Sequence, residues 1–272
     1  MSETVIALSN VRKSYGKHQV LSDVNMTVNK GDIYGLIGKN GAGKTTIFKV
    51  ILGLSSFENG ELSILGGSDK KAVAAGRHHI GFFIGSNFFL NLSAKENLAY
   101  YCQLKGIKNA KEEIDRVLKI VGLDGVKKRV GRFSMGMKQR LGIANAILGN
   151  PEILILDEPA NGLDPQGIVD VRNLVKRLNE EFGMTVIVSS HILSELQNTA
   201  TRFGIVNNGM VAREITTEEL ENMERAVRIA VDDLERAREA LDAAGVKVLD
   251  VQHESNSLEE FYFNLVGGND HA

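Results

Sequence analysis

The stretch Ile37-Gly38-Lys39-Asn40-Gly41-Ala42-Gly43-Lys44-Thr45-Thr46-Ile47-Phe48-Lys49-Val50 decides the fold of this chain. It has the form G-x-x-x-x-G-K-[ST], with Gly38, Gly43, Lys44 and Thr45 in the specified places. An apolar run, Ile33, Tyr34, Leu36 and Ile37, precedes it, and a helix-compatible Ile47, Phe48, Val50 and Ile51 follows. The order is strand, glycine loop, helix. Glycines let the backbone wrap closely around a phosphate chain, and a helix beginning at Lys44 aims free N–H groups and its positive dipole end at the anion. Lys44 is expected to reach the β and γ phosphates, and Thr45 to put its hydroxyl on Mg²⁺. By itself the motif implies a nucleoside triphosphate and nothing about its use.

Upstream, Val5 to Leu8, then Val24, Met26 and Val28, alternate with polar residues, with turn signals at Tyr15-Gly16 and Asn29 to Asp32. An antiparallel strand pair leading into the strand before the glycine loop is expected. Downstream, Glu58-Asn59-Gly60 reads as a hairpin turn before a strand over 61–65, and residues 66–79 as a polar, Ala/Gly-rich link to a strand over 80–84. Between Ser93 and Asn150 the period becomes helical. Ser93 with Glu96, and Asn109 with Glu112, fit the capping-box pattern, and Ile114, Val117, Leu118 and Val121 form one helical face.

Ile153 to Leu156 is a continuous apolar run, as expected of a strand covered on both faces. Ile168, Val171, Val175, Leu178 and Phe182 make a helical stripe, and Thr185 to Val188 a second buried strand ending in Ser189-Ser190-His191. Strands alternating with helices imply βαβ units and a mostly parallel sheet. A hairpin at Asn207-Asn208-Gly209 and a short helix near Thr216 follow, and residues 223–272 read as a small βαβα extension. The fold class is therefore α/β: a P-loop NTPase core with an antiparallel β subdomain, a helical insert at about 93–150 and an α+β tail, the ATPase domain covering residues 1–222.

Apolar residues at 43% and charged residues at 24% are ordinary for a soluble globular protein. The net charge of −2, with both signs interspersed, disfavours a tight nucleic-acid binder and leaves room only for a local patch. A single cysteine, Cys102, fits a reducing cytosol. Met1 to Thr4 carries no basic leader, and no apolar run approaches the roughly 18 residues of a membrane span. A role at a membrane requires another chain to cross it.

Hydrolysis of a phosphoanhydride needs a metal, a positioned water and neutralised γ-phosphate charge. Asp157, at the end of a buried strand, suits an Mg²⁺ ligand held through water beside Thr45, and Glu158 directly after it can polarise the attacking water. His191 ends another buried strand and can bond the γ phosphate or serve a structural role. Ser134 and Gly136 open a helix running through Leu141, Ala144 and Ile147, which is either a second anion-binding helix end or an ordinary capped helix.

In order and spacing, Gly38 to Thr45, the run Ser134-Met135-Gly136-Met137-Lys138-Gln139-Arg140, Ile153 to Pro159, Asn161-Gly162-Leu163-Asp164 and Ser190-His191 resemble the ATPase subunit of ABC transporters. The resemblance covers roughly residues 4–222. It implies a head-to-tail dimer with ATP sandwiched between the glycine loop of one subunit and the Ser134 helix of the other. It carries Tyr15 onto adenine stacking, and Asn40, Gly41, Ala42, Gly43, Lys44, Thr45 and Thr46 onto the phosphate loop. Asp157 becomes the Mg²⁺ aspartate, Glu158 the catalytic base, Ser134 and Gly136 the contacts to the opposite γ phosphate, Asp164 the interface aspartate and His191 the switch histidine.

Two departures stand out. The signature reads S-M-G-M-K-Q instead of S-G-G-Q, keeping the serine and second glycine. Where the family has a glutamine after the Ile80-Gly81 strand, this chain has Gly85, with Asn87 the nearest amide. Phe82, Phe83, Phe88, Phe89 and Leu90 either receive a helix of the membrane partner or pack between subdomains. Lys127-Lys128-Arg129 is a solvated face. The resemblance implies the cytosolic, membrane-peripheral ATPase subunit of a transporter with a separate permease, its wording closest to bacterial exporters of peptide antibiotics and lantibiotics. A soluble switch ATPase of DNA maintenance or translation is the alternative, and a P-loop kinase a third reading.

Overall fold

In a computed structural model, residues 3–85 and 88–222 are described, with positions 236, 240, 241 and 243 beyond them. The expected βαβα extension and Asn87 therefore lie outside the described residues. The chain divides into two compact units, Met1–Thr217 and Glu218–Ala272.

The first unit is built on two sheets. Strands β1 (Thr4–Tyr15), β2 (His18–Asn29) and β4 (Asn59–Ile64) form an antiparallel sheet in the order β2-β1-β4. The second sheet has six strands, β3 (Ile33–Ile37), β5 (Ile80–Phe83), β6 (Ile153–Asp157), β7 (Thr185–Ser190), β8 (Arg202–Asn207) and β9 (Met210–Thr216), in the order β5-β6-β7-β3-β8-β9. Its first five members run parallel, and β9 pairs antiparallel to β8 through the expected turn at Asn208-Gly209. Strands β3 and β7 are buried along their whole length, as strands in a doubly covered sheet should be, with Thr185, Ser189 and Ser190 the polar residues of β7.

Helix α1 (Lys44–Ile51) packs against β2 and β6, between the two sheets. At eight residues it is too short to hold in water alone, and its stability comes from burying Ile47, Phe48, Val50 and Ile51 in the shared core. The phosphate-loop helix is thus set by packing on both sides.

The helical insert comprises α3 (Ala94–Leu104), α4 (Ala110–Ile120) and α5 (Met135–Ala146). Ser93 and Glu96 form a full capping box: Ser93 Oγ accepts from Glu96 N–H, and Glu96 accepts from Ser93 N–H at 2.7 Å. The second expected box does not form. Asn109 has ψ 52° instead of the extended ψ of 170° at Ser93, so its side chain makes no cap hydrogen bond.

Two further expectations are corrected. Residues 66–79 are not a plain link, because α2 (Lys70–Arg77) forms there, capped by Asp69, which accepts from Lys71 and Ala72 N–H. Its apolar signal is weak, with only Val73 and Gly76 buried. Glu58-Asn59-Gly60 is not a hairpin turn. Asn59 and Gly60 already belong to β4, and Glu58 joins β1 through Ser14 N–H and Arg12 C=O. The partner strand lies some fifty residues upstream, beyond the reach of a local turn rule.

Helix α5 docks on β5 through Gly142, where an added Cβ would run into the Phe83 ring. We expect Gly142→Ala to lower stability by about 1–3 kcal/mol through overpacking. The midpoint of urea unfolding measures this, and an unchanged midpoint would mean that the ring can move aside freely.

Candidate active site

In the six-stranded sheet the carboxyl ends of β3, β7 and β6 stand side by side, because β7 lies between the other two. Register makes the row explicit: Asp157 is the Cα partner of Ser189, and Ser189 and Ser190 are the partners of Leu36 and Ile37. The glycine loop, the Asp157-Glu158 pair and His191 therefore open at one edge, the usual place for a ligand in an α/β sheet.

The loop turns through left-handed glycines, Gly41 at φ 83° and Gly43 at φ 113°. Gly43 caps α1 without a side chain, and no acidic residue occupies the first turn, which leaves those N–H groups for an anion. Lys44 is buried at 5% exposure. Its Nζ donates to Gly38 C=O at 2.6 Å and Lys39 C=O at 3.2 Å, and stands 3.5 Å from Glu158 Oε1. A lysine stretched along its own loop is already aimed at the anion the loop would hold.

Across from it, Thr45 Oγ1 donates to Asp157 Oδ2 at 2.7 Å. Two hard oxygen donors, with no cluster of three or more His, Cys, Asp or Glu among the described residues, fit an Mg²⁺ that completes its shell with phosphate and water. Glu158 is held in the left-handed region at φ 49°, an uncommon and costly place for a residue with a side chain. Its Oε2 accepts from Asn161 Nδ2 at 3.1 Å and lies 3.2 Å from His191 Nδ1. Lysine, histidine and asparagine thus converge on one carboxylate.

A residue not singled out from the sequence completes this group. Ser189 Oγ donates to Asp157 Oδ1 at 2.7 Å and accepts from Glu158 N–H at 2.9 Å. The signal available was a pair of serines, Ser189-Ser190, directly after an apolar run.

A cavity of about 590 Å³ is lined by Asn40, Thr45, Gly85, Gln139, Asp157 and Glu158. A second, of about 350 Å³, is lined by Ser134, Gly136, Arg140, Gly162, Asp164 and Gln166. The loop from Asn161 to Asp164 runs from one to the other. Ser134 caps α5 by accepting from Met137 N–H at 3.3 Å, and Asp164 caps α6 (Pro165–Glu180) by accepting from Gly167 N–H at 3.1 Å. Ser134 and Gly136 line the second cavity and not the first, although Met135, Lys138 and Gln139 of the same helix line the first beside Asn40 and Thr45.

Residues 21–161 match the ABC transporter family, just over half of the chain. The chain belongs to that family. The bacitracin transport ATP-binding protein of Bacillus licheniformis is 36% identical over 97% of this chain and 98% of its own length. The lantibiotic transport ATP-binding protein SrtF of Streptococcus pyogenes is 40% identical over 81% of this chain and 94% of its own. Among solved structures, a dimeric ATP-binding cassette in a post-hydrolysis state with ADP and Pi superposes with a TM-score of 0.69 at 28% identity, covering 78% of this chain and 98% of that one. As an ABC transporter ATPase subunit, the chain binds and hydrolyses ATP.

The remaining positions can be placed on this ATPase. Tyr15 is 48% exposed at the end of β1, with Lys13 Nζ 5.0 Å from its ring centre and its hydroxyl 3.2 Å from Ser55 Oγ. Gly85 has φ 65° and open space where a Cβ would stand. The aromatic segment divides by face: Phe83 is buried at 7% against Gly142, whereas Phe82, Phe89 and Leu90 are exposed at 43%, 45% and 58%. No helix among the described residues is long and apolar enough to cross a membrane.

Proposed function

We propose that residues 1–222 form an ATPase domain that works as a head-to-tail homodimer, carries residues 223–272 as an extension, and powers a separate integral-membrane permease from the cytoplasmic face of the membrane. The cargo class is peptide antibiotics or related compounds, supported by the transport named for the bacitracin and lantibiotic relatives. The net charge of −2 supports a partner that is not nucleic acid.

The observation that carries the reading is the set of groups around Glu158. ATP lies along the loop from Gly38 to Thr46 with its adenine on Tyr15, and Lys44 meets the β and γ phosphates. Thr45 and Asp157 would hold Mg²⁺, which when bound supplies charge neutralisation on the phosphates. Glu158 accepts a proton from the attacking water as the oxygen of that water bonds to the γ phosphorus and the bond to the leaving ADP oxygen breaks, giving ADP and phosphate. His191, on the far side of the carboxylate, orients Glu158 and reaches the γ phosphate.

The dimeric ATP-binding cassette among the similar structures supports a second copy bringing Ser134, Gly136 and Asp164 to the partner's nucleotide, and these three line a different cavity from Asn40 and Thr45. The exposed Phe82, Phe89 and Leu90 form the surface for a permease helix.

The deciding experiment is to express tagged Glu158→Gln protein in its native cell, stabilise it with ATP and identify what co-purifies from solubilised membranes. A stoichiometric multi-span protein is expected. Recovery only from the soluble fraction, on nucleic acid or ribosomes, would instead indicate a switch ATPase. In the assembled complex, Gly85→Gln should change the ratio of permease-stimulated to basal turnover severalfold, since Gly85 lines the cavity with open space around it, at the cost of backbone strain from its φ of 65°. An unchanged ratio would remove Gly85 from the relay position.

A further inference from the structure

We propose that Ser189 is the positioning residue that locks the metal-ligand carboxylate and the catalytic glutamate into one rigid unit. The inference rests on the roles proposed for Asp157 and Glu158 and adds the group that sets their geometry.

A serine hydroxyl has one proton and two lone pairs. Glu158 N–H takes a lone pair at 2.9 Å, so the proton must point elsewhere, and Asp157 Oδ1 receives it at 2.7 Å. The direction of both hydrogen bonds is therefore fixed. Asp157 then has Oδ1 bound by Ser189 and Oδ2 bound by Thr45, which leaves its carboxylate no freedom to rotate. The same hydroxyl pins the N–H of Glu158, whose left-handed φ of 49° is unfavourable without outside support.

Location makes the clamp stiff. Ser189 is fully buried on β7, an interior strand hydrogen-bonded on both sides, directly opposite Asp157 in register. Removing a group that holds a metal ligand from behind typically costs about 10- to 100-fold in metal affinity or activity. Removing the hydroxyl frees one carboxylate oxygen and leaves a Glu158 N–H with no acceptor, without touching any atom that would meet ATP.

A cavity of about 30 Å³ borders Ser189, lined in part by Pro159, Val188, Leu196 and Thr199, and gives room for one extra methyl. Threonine and valine therefore make an isosteric test pair that differs in the hydroxyl alone. With full-length protein, AMP-PNP binding in EDTA checks that the nucleotide site is intact, and Mn²⁺ titrated into the AMP-PNP complex is followed by electron paramagnetic resonance.

Ser189→Val is expected to bind AMP-PNP in EDTA as the native protein does. It should need about 10-fold more Mn²⁺ for half-saturation, and its kcat for ATP should fall about 10- to 100-fold at unchanged KM. Ser189→Thr is expected to restore both to within about threefold of the native values. Ser189→Ala reports the same loss where valine disturbs the strand.

Native Mn²⁺ affinity and kcat in Ser189→Val or Ser189→Ala would overturn the proposal, as would equal losses in Ser189→Thr and Ser189→Val. The Mn²⁺ shift depends on Asp157 and not on Glu158. Native turnover in Glu158→Gln would thus remove the base assignment while leaving that shift standing, whereas an absent shift alongside an inactive Glu158→Gln would sink the Ser189 role alone.

Discussion

Glu158→Gln should lower ATP turnover about 10²- to 10⁴-fold while leaving ATP binding in place. Glutamine keeps the size of the side chain and can still bond Asn161 and His191, which stand 3.1 and 3.2 Å from Glu158 Oε2. It cannot take the proton of the attacking water. The backbone cost at φ 49° is the same for both residues, so the loss reports chemistry and not folding. Because binding persists while hydrolysis stops, ATP-bound dimers should accumulate and elute earlier than the native protein on size exclusion. Unchanged hydrolysis would remove Glu158 from the role of base and leave Asp157 and the water to be explained some other way.

Lys44→Ala acts one step earlier and should weaken ATP binding. Nζ is held at 2.6 Å by Gly38 C=O, inside the loop, with only 5% of the residue exposed. A charge-assisted hydrogen bond from a pre-aligned lysine to phosphate contributes about 1.5–3 kcal/mol, so its loss should weaken ATP binding roughly 10- to 100-fold. Calorimetric titration with ATP measures it. An affinity within twofold of native would show that the loop amides carry the phosphate without the lysine. The two substitutions therefore separate: one binds without turning over, and the other binds weakly.

Much of the site was legible because it depends on short, local chemistry. The loop from Gly38 to Thr46 needs its glycines at fixed spacing, and Asp157-Glu158 had to end an apolar run that could only be a buried strand. Capping at Ser93 likewise declared where α3 begins. Local rules failed where geometry or distant pairing intervened. Asn109 stands in the right place for a cap with the wrong ψ, α2 buries too little to raise a periodic signal, and Gly60 serves β1 instead of a hairpin.

Ser189 marks the limit most clearly. Its sequence neighbours, Val188 and Ser190, say nothing of Asp157, which lies 32 positions away and becomes adjacent only when β6 and β7 align. Likewise, only the seating of α5 on β5 puts Ser134 and Gly136 in a different cavity from Asn40 and Thr45, although the ordered motifs had already named both sets.

The sequence by itself determined most of the elements, the family and the candidate residues for ATP, because each follows from spacing along a few turns or one strand. Only the tertiary structure decided which side chains share a hydrogen bond across strands, because register between segments is set by the packed core of both sheets and α1, not by any single stretch of the chain.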